Sequence, residues 1–188
     1  MQQQIGMSKK LSDEELLLKI RIGDNPKVHF EEIVRKYQSK VYWLIRRMVS
    51  CHEDASDIAQ DVFLKAWKAL PEFRGDSGLF TWLYRITTNE TLSFINKKKK
   101  QRLISVDEIA TVSQKSYQSE TQLSEEFIET KIQNAIAKLP EKQRIVFILR
   151  YYDEMKYEEM AEMLKTSQGA LKTSYHHAAK KIEKFITS

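Results

Sequence analysis

Along most of the chain, apolar residues recur at three- and four-residue spacing, the pattern of amphipathic helices. Ser12 and Glu15 form a capping box ahead of a short helix with Leu16, Leu17 and Ile20 inside, and Gly23 stops it. Asn25-Pro26 restarts the chain with proline at the first helical position. The next helix carries Phe30, Ile33, Val34, Tyr37, Val41, Leu44, Ile45 and Met48 on one side, and Tyr37, Tyr42 and Trp43 read as packing residues. Ser50 with Glu53 predicts a further capped helix running to about Leu70. Its small-residue stripe is Ala55, Ile58, Ala59, Val62, Ala66 and Ala69. Gln60, Phe63 and Trp67 fall outside that stripe, as a protein contact or as part of a wider core. Asp54, Asp57 and Asp61 share an acidic face, read as solvated rather than as a metal site.

After the turn Pro71 to Gly75, Ser77 is the expected cap of a helix carrying Leu79, Trp82, Leu83 and Ile86 on one face. Thr81, Tyr84, Arg85, Thr88 and Asn89 fall off that face, while Leu92 and Ile95 point roughly the other way. The helix is therefore buried on two sides or changes partner near Asn89. It ends in Lys97, Lys98, Lys99, Lys100 and Arg102, more cations than a C-terminal cap requires. Two readings fit: a core helix with a solvated tail, or a stacking and amide face running into a cationic end that receives unpaired nucleic acid.

From Ile104 to Ser124 the chain is rich in Ser, Thr and Gln, and its periodicity is weak. This segment reads as a flexible linker, so the expected organisation is residues 1–102, linker 103–124 and residues 125–188. Beyond it, a Ser124 cap leads to a stripe of Ile128, Ile132, Ala135, Ile136 and Leu139, and Pro140 opens a helix with Ile145, Val146, Ile148 and Leu149. Tyr157 to Leu164, a break at Lys165-Thr166-Ser167, and a helix from Gln168 to about Ile186 make a helix-turn-helix pattern. Leu171, Tyr175, Ala178, Ile182 and Phe185 form the buried stripe of its last helix. Thr173, His176, His177, Lys180 and Lys184 face outward, with Lys172 at the edge. Such a helix suits a major groove.

Composition sharpens the class. The chain of 188 residues has 41% hydrophobic residues with only 5 Gly and 3 Pro, which favours an all-α protein. The formal net charge is +5, concentrated at two helix ends. One cysteine, Cys51, excludes an internal disulfide and any all-cysteine zinc site and fits a reducing cytoplasm. No apolar run is long enough to span a bilayer. No nucleophile–base pair and no metal-ligand set with open coordination stands out, so neither catalysis nor a cofactor is expected.

Several stretches in order carry a resemblance: Asp57-Ile58-Ala59-Gln60-Asp61-Val62-Phe63, Phe73-Arg74-Gly75-Asp76-Ser77, Phe80-Thr81-Trp82-Leu83-Tyr84-Arg85-Ile86 with Asn89, Leu139-Pro140-Glu141-Lys142-Gln143-Arg144, and Tyr157-Glu158-Glu159-Met160-Ala161. From Phe30 to Phe185, the linker apart, the chain resembles the extracytoplasmic-function sigma factors of bacterial RNA polymerase, which carry only sigma regions two and four. The resemblance implies two helical domains that bind core polymerase, promoter DNA as duplex and melted strand, and an anti-sigma factor. It assigns Asp57, Gln60, Asp61 and Phe63 to polymerase. It assigns Tyr84, Arg85, Asn89, Lys97, Lys98, Lys99, Lys100 and Arg102 to the minus-ten strand. By the same resemblance, Ser167, Gln168, Lys172, Thr173, His176, His177 and Lys180 read the minus-thirty-five duplex. The chain departs from the family where arginine often stands, at Ser174, His177 and Ala179, where serine or threonine often stands, at Lys156, and where glycine often stands, at Lys165. The alternative is a helix-turn-helix regulator that binds duplex DNA without polymerase.

Overall fold

The computed structural model describes residues 11–49, 51–104 and 125–187; the side chains of 102–104 and 125–129 fall outside that description. Residues 105–124 of the expected linker, the Ser50 and Ser124 caps and the Ile128 side chain therefore lie outside the described residues, while residues 103–104 continue the helix that precedes it. Within them the architecture is all-α, two packed groups of four helices. The first comprises α1 (Asp13–Arg21), α2 (Pro26–Met48), α3 (His52–Ala69) with a 3₁₀ turn at Leu70–Glu72, and α4 (Leu79–Ile104). The second comprises α5 (Glu125–Ala137), α6 (Glu141–Tyr151), α7 (Tyr157–Leu164) and α8 (Gln168–Thr187).

Local chemistry sets most of these boundaries. The Ser12 hydroxyl accepts from the Glu15 amide at 3.2 Å and the Glu15 carboxylate accepts from the Ser12 amide at 2.7 Å, the capping box read from the sequence. Gly23 adopts φ +78° between α1 and α2, a conformation that costs glycine little. Two caps differ from expectation. Cys51 occupies the N-cap of α3, with its thiol 2.7 Å from Glu53 Oε2. The carbonyl of Gly78, not Ser77, accepts the first helical bond of α4, from the Trp82 amide at 3.0 Å.

The first core is the predicted stripe: Ile33, Val41 and Ile45 of α2 and Ala55, Ile58 and Val62 of α3 meet Leu79 and Leu83 of α4. The small residues of α3 let α2 and α4 approach closely. Trp82 joins this core, its ring 4.9 Å from that of Phe73. Tyr37 is buried as read, and its hydroxyl donates to Asp13 Oδ2 at 2.5 Å. Trp43 is the exception, since it is 53% exposed.

The second core gathers Ala135, Ile136, Ile145, Ile148, Leu149, Met160, Leu171, Ala178 and Ile182. It also takes in Leu44, Met48 and Tyr84 of the first group, so the two groups pack on each other. Thus α4 is buried on two sides and stays helical through Asn89. Thr87 and Thr91 allow this because their hydroxyls donate back to Leu83 and Thr87 carbonyls at 2.8 and 2.7 Å.

Between α7 and α8, Lys165 holds φ +49°, where a left-handed residue ends α7. The break is thus built without the glycine usual at such a cap. Lys165→Gly should relieve the left-handed penalty while adding freedom to the unfolded chain, for a net stabilisation of a few tenths to about 1 kcal/mol. A rise in the thermal midpoint checks it, and a fall would mean that the lysine side chain contributes more than its backbone costs.

Candidate polymerase and nucleic-acid interfaces

Three surfaces carry the residues singled out in the sequence. The first is an apolar groove between α2 and α3, about 810 Å³ in volume, lined by Phe30, Trp43, Phe63, Leu64 and Trp67. The rings of Phe30 and Trp67 pack at 5.0 Å, and Trp67 remains 38% exposed. Phe63 is half-buried, so both readings of it hold in part: one edge packs on the first core and the rest faces the groove. Gln60 lines the groove, and Asp57 and Asp61 stand exposed on the same helix. Sequence reasoning misses Trp43 as a surface residue because its helical position adjoins the α2 core stripe. Its neighbour Tyr42 is held by a 2.6 Å hydrogen bond between its hydroxyl and His52 Nδ1.

The second surface lies on α4. Arg85 is half-buried and Asn89 exposed, and both line a cavity of about 580 Å³ closed on its far side by Lys142, Leu164, Leu171 and Ser174. Tyr84, expected among the exposed strand-binding groups, is instead 0% exposed. Its ring packs on Phe80 at 4.2 Å and its hydroxyl donates to Asp153 Oδ1 at 3.3 Å. Helical spacing puts Tyr84 off the first core face, and the second helical group covers it. Burial, more than the adjacent Asp153 carboxyl, pushes the phenol well above its ordinary range. The same burial raises the Asp153 carboxyl, against the pull of the Arg47 guanidinium.

The cationic end is divided. Lys98 pairs with Asp54 of α3, and Lys99 pairs with Glu141 of α6 at 3.3 Å. Asp54, one of the acidic trio, is thus tied to an ammonium. Lys97 and Lys100 are exposed. The Arg102 side chain lies outside the described residues.

The third surface is α8. Ser167 caps it, its hydroxyl accepting from the Ala170 amide at 3.3 Å. Gln168, Lys172, Thr173, His176, His177 and Lys180 are all exposed. Leu171, Ala178 and Ile182 are buried beneath them, and Tyr175 stacks on Phe147 at 5.7 Å. Lys172 Nζ lies 5.7 Å from the Tyr157 ring, at the junction with α7. The Thr173 hydroxyl donates to the Gly169 carbonyl at 3.0 Å. Where Lys156 replaces the usual hydroxyl residue, Glu159 takes over the cap by accepting from the Lys156 amide at 3.3 Å.

Among the described residues no cluster of three or more His, Cys, Asp or Glu is arranged to hold a metal ion, and no helix is long and apolar enough to cross a membrane.

Comparison with known proteins places these surfaces in a family. Residues 33–101 match Sigma-70 region 2 and residues 129–182 match Sigma-70, region 4. The chain is 34% identical over 184 residues to the ECF RNA polymerase sigma factor SigW of Bacillus subtilis (strain 168), covering 90% of this chain and 97% of that one. It is 32% identical over 186 residues to the ECF RNA polymerase sigma-E factor of Escherichia coli (strain K12), covering 94% and 95%. The structure of CnrH in complex with the cytosolic domain of CnrY has the same fold, with a TM-score of 0.69 at 21% identity over 93% of this chain and 97% of that one. The two family matches fall in order on the two helical groups, and the groove residues Trp43, Phe63, Leu64 and Trp67, Arg85 and Asn89 of α4, and the α8 face through Lys180 lie on the matched segments. The chain therefore belongs to the extracytoplasmic-function group of RNA polymerase sigma factors.

Proposed function

We propose that the three surfaces divide the work of promoter-directed initiation. The groove of Phe30, Trp43, Phe63 and Trp67, with Asp57, Gln60 and Asp61 beside it, docks core polymerase. The α4 face, with Arg85, Asn89 and the run Lys97 to Arg102, takes the melted minus-ten strand. The exposed face of α8, from Ser167 and Gln168 to Lys180, reads the minus-thirty-five duplex. The organisation that goes with this is a region 2 domain at 1–102, a linker at 103–124 and a region 4 domain at 125–188. The chain works in the cytoplasm by binding alone, without catalysis of its own, and an anti-sigma factor opposes it.

The observation that carries this reading is the groove: large aromatic side chains left open to solvent beside acidic and amide groups, where an isolated domain gains nothing from exposing them. A stand-alone regulator has no use for that groove, and the relatives span both domains.

The experiment is capture of core polymerase by the purified chain, followed by binding of the complex to an open-promoter mimic at several salt concentrations. Replacing Lys97 and Lys100 by Gln should flatten the salt dependence by ~0.7 in log–log slope for each phosphate that these ammonium groups neutralise. An unchanged slope would make both lysines a solvated tail.

A further inference from the structure

We propose that His176 and His177 grip the duplex as imidazolium cations, so that binding of DNA to α8 takes up protons and weakens as the pH rises. This rests on the reading of α8 given above. The chain has four histidines. His29 is buried, with Nε2 3.7 Å from Asp24, and His52 shares a 2.6 Å hydrogen bond with the Tyr42 hydroxyl. His176 and His177 alone combine exposure with the lack of any hydrogen bond or ion pair among the described residues. Their one ring contact is with each other, the centroids 6.1 Å apart.

Both rings point away from the protein. Leu171, Ala178 and Ile182 form the buried side of α8, where α5, α6 and α7 pack. At ~100° per residue, His176 and His177 straddle the opposite side. Cations of the same helix frame them. Lys172 and Lys180 stand one turn before and one turn after His176, and Lys181 and Lys184 follow His177 at one and two turns. Glu183 is the only carboxylate on α8, so the helix carries a net +3, which becomes +5 with both imidazoles charged.

Among the described residues, the elements packed on α8 hold nothing that neutralises the pair. On α6, Glu141 is paired with Lys99, and Arg144 donates to the Ala137 carbonyl. On α7, Glu159 accepts from the Lys156 amide, while Glu158 and Glu162 are exposed and form no ion pair. Tyr157 has Arg150 and Lys172 on its ring, and Tyr151 and Tyr175 stack on Phe147. On α5, Lys138 sits over the Phe185 ring at 4.1 Å. Lys131, Lys142 and Lys165 add only positive charge.

The sign of the effect follows from the chemistry. An imidazolium donates from both ring nitrogens, and its hydrogen bonds to phosphate are charge-assisted, whereas a neutral imidazole keeps one donor and no charge. Imidazole side chains change charge between about pH 5 and 8. A phosphate favours the charged form, and by reciprocity the charged form binds phosphate more tightly. Duplex affinity is therefore highest at the acid end of that range and falls as the pH rises through it. The lysines supply the constant part of the grip and the histidines the part that varies.

The test titrates the full chain with a labelled random-sequence duplex of about two helical turns, at pH 6 and pH 8 and at several salt concentrations. The parent should bind about tenfold or more tightly at pH 6 than at pH 8. Its log–log salt slope should be steeper at pH 6 by ~0.9 for each imidazolium that neutralises a phosphate. With His176→Gln and His177→Gln together, binding at both pH values should match that of the parent at pH 8. With His176→Arg and His177→Arg together, binding should be at least as tight as that of the parent at pH 6, with no dependence on pH. Equal affinity of the parent at the two pH values, or a pH response that survives the paired Gln substitutions, overturns the proton-linked grip. Lys180→Ala reads the underlying assignment separately. It should lower affinity at both pH values, and no loss at either would overturn the reading of α8 itself.

Discussion

Phe63→Ala should weaken binding to core polymerase by about thirtyfold, and leave the chain folded. The position of the ring is the reason. Val62 points into the first core and is fully buried, whereas Phe63, one residue on, turns toward the groove and is only half-buried. Aromatic anchors in a groove of this kind commonly carry ~2 kcal/mol or more of an interface, and 2 kcal/mol corresponds to roughly thirtyfold in Kd. Because only part of the ring contributes to the core, its truncation should cost less stability than the ~3–5 kcal/mol of a fully buried aromatic. Val62→Ala gives the contrast: it should lower stability by about 1–2 kcal/mol through removal of two buried methyl groups and change polymerase affinity little. Titration of labelled core polymerase, with circular dichroism on the same samples, reads both effects. If Phe63→Ala unfolds the helices, or binds as the parent does, the groove is not the docking surface.

Lys172→Ala should alter which minus-thirty-five duplexes bind best, whereas Lys184→Ala should lower all affinities together. Both lysines are exposed on α8, but at different depths along it. Lys172 stands near the Ser167 cap, in the part of a recognition helix that meets base edges, and its ammonium can donate to guanine. Lys184 lies near the far end, where cations meet phosphates. A base-edge contact is worth ~1–3 kcal/mol of discrimination, and a phosphate contact affects every sequence alike. A panel of duplexes titrated against the full chain separates the two. An unchanged ranking for Lys172→Ala would place the helix differently in the groove.

How much of the fold and its surfaces is legible in the sequence follows from which interactions are local. The Ser12–Glu15 box, the stop at Gly23, the α3 stripe and the buried face of α8 are each specified within a few residues, and all are found in the structure. The cap of α4 falls one residue later than its sequence suggests, because Ser77 has the right chemistry while Gly78 holds the geometry. Tyr84 and Trp43 escape sequence reasoning for a deeper reason. Periodicity tells which face of a helix is apolar, but not what second surface arrives later in the chain. Tyr84 is covered by a turn almost seventy residues on, at Asp153. Trp43 is left uncovered although α2 is a core helix. The division of the lysine run is equally nonlocal, since Asp54 and Glu141 lie on other helices.

The central claim is that the chain lends promoter specificity to core polymerase, and run-off transcription tests it most directly. Core polymerase, supplied with genomic DNA fragments of the source bacterium, should start at a restricted set of promoters only when the purified chain is added, and Phe63→Ala should abolish most of those transcripts. Transcription no different from that of core polymerase alone would contradict the account.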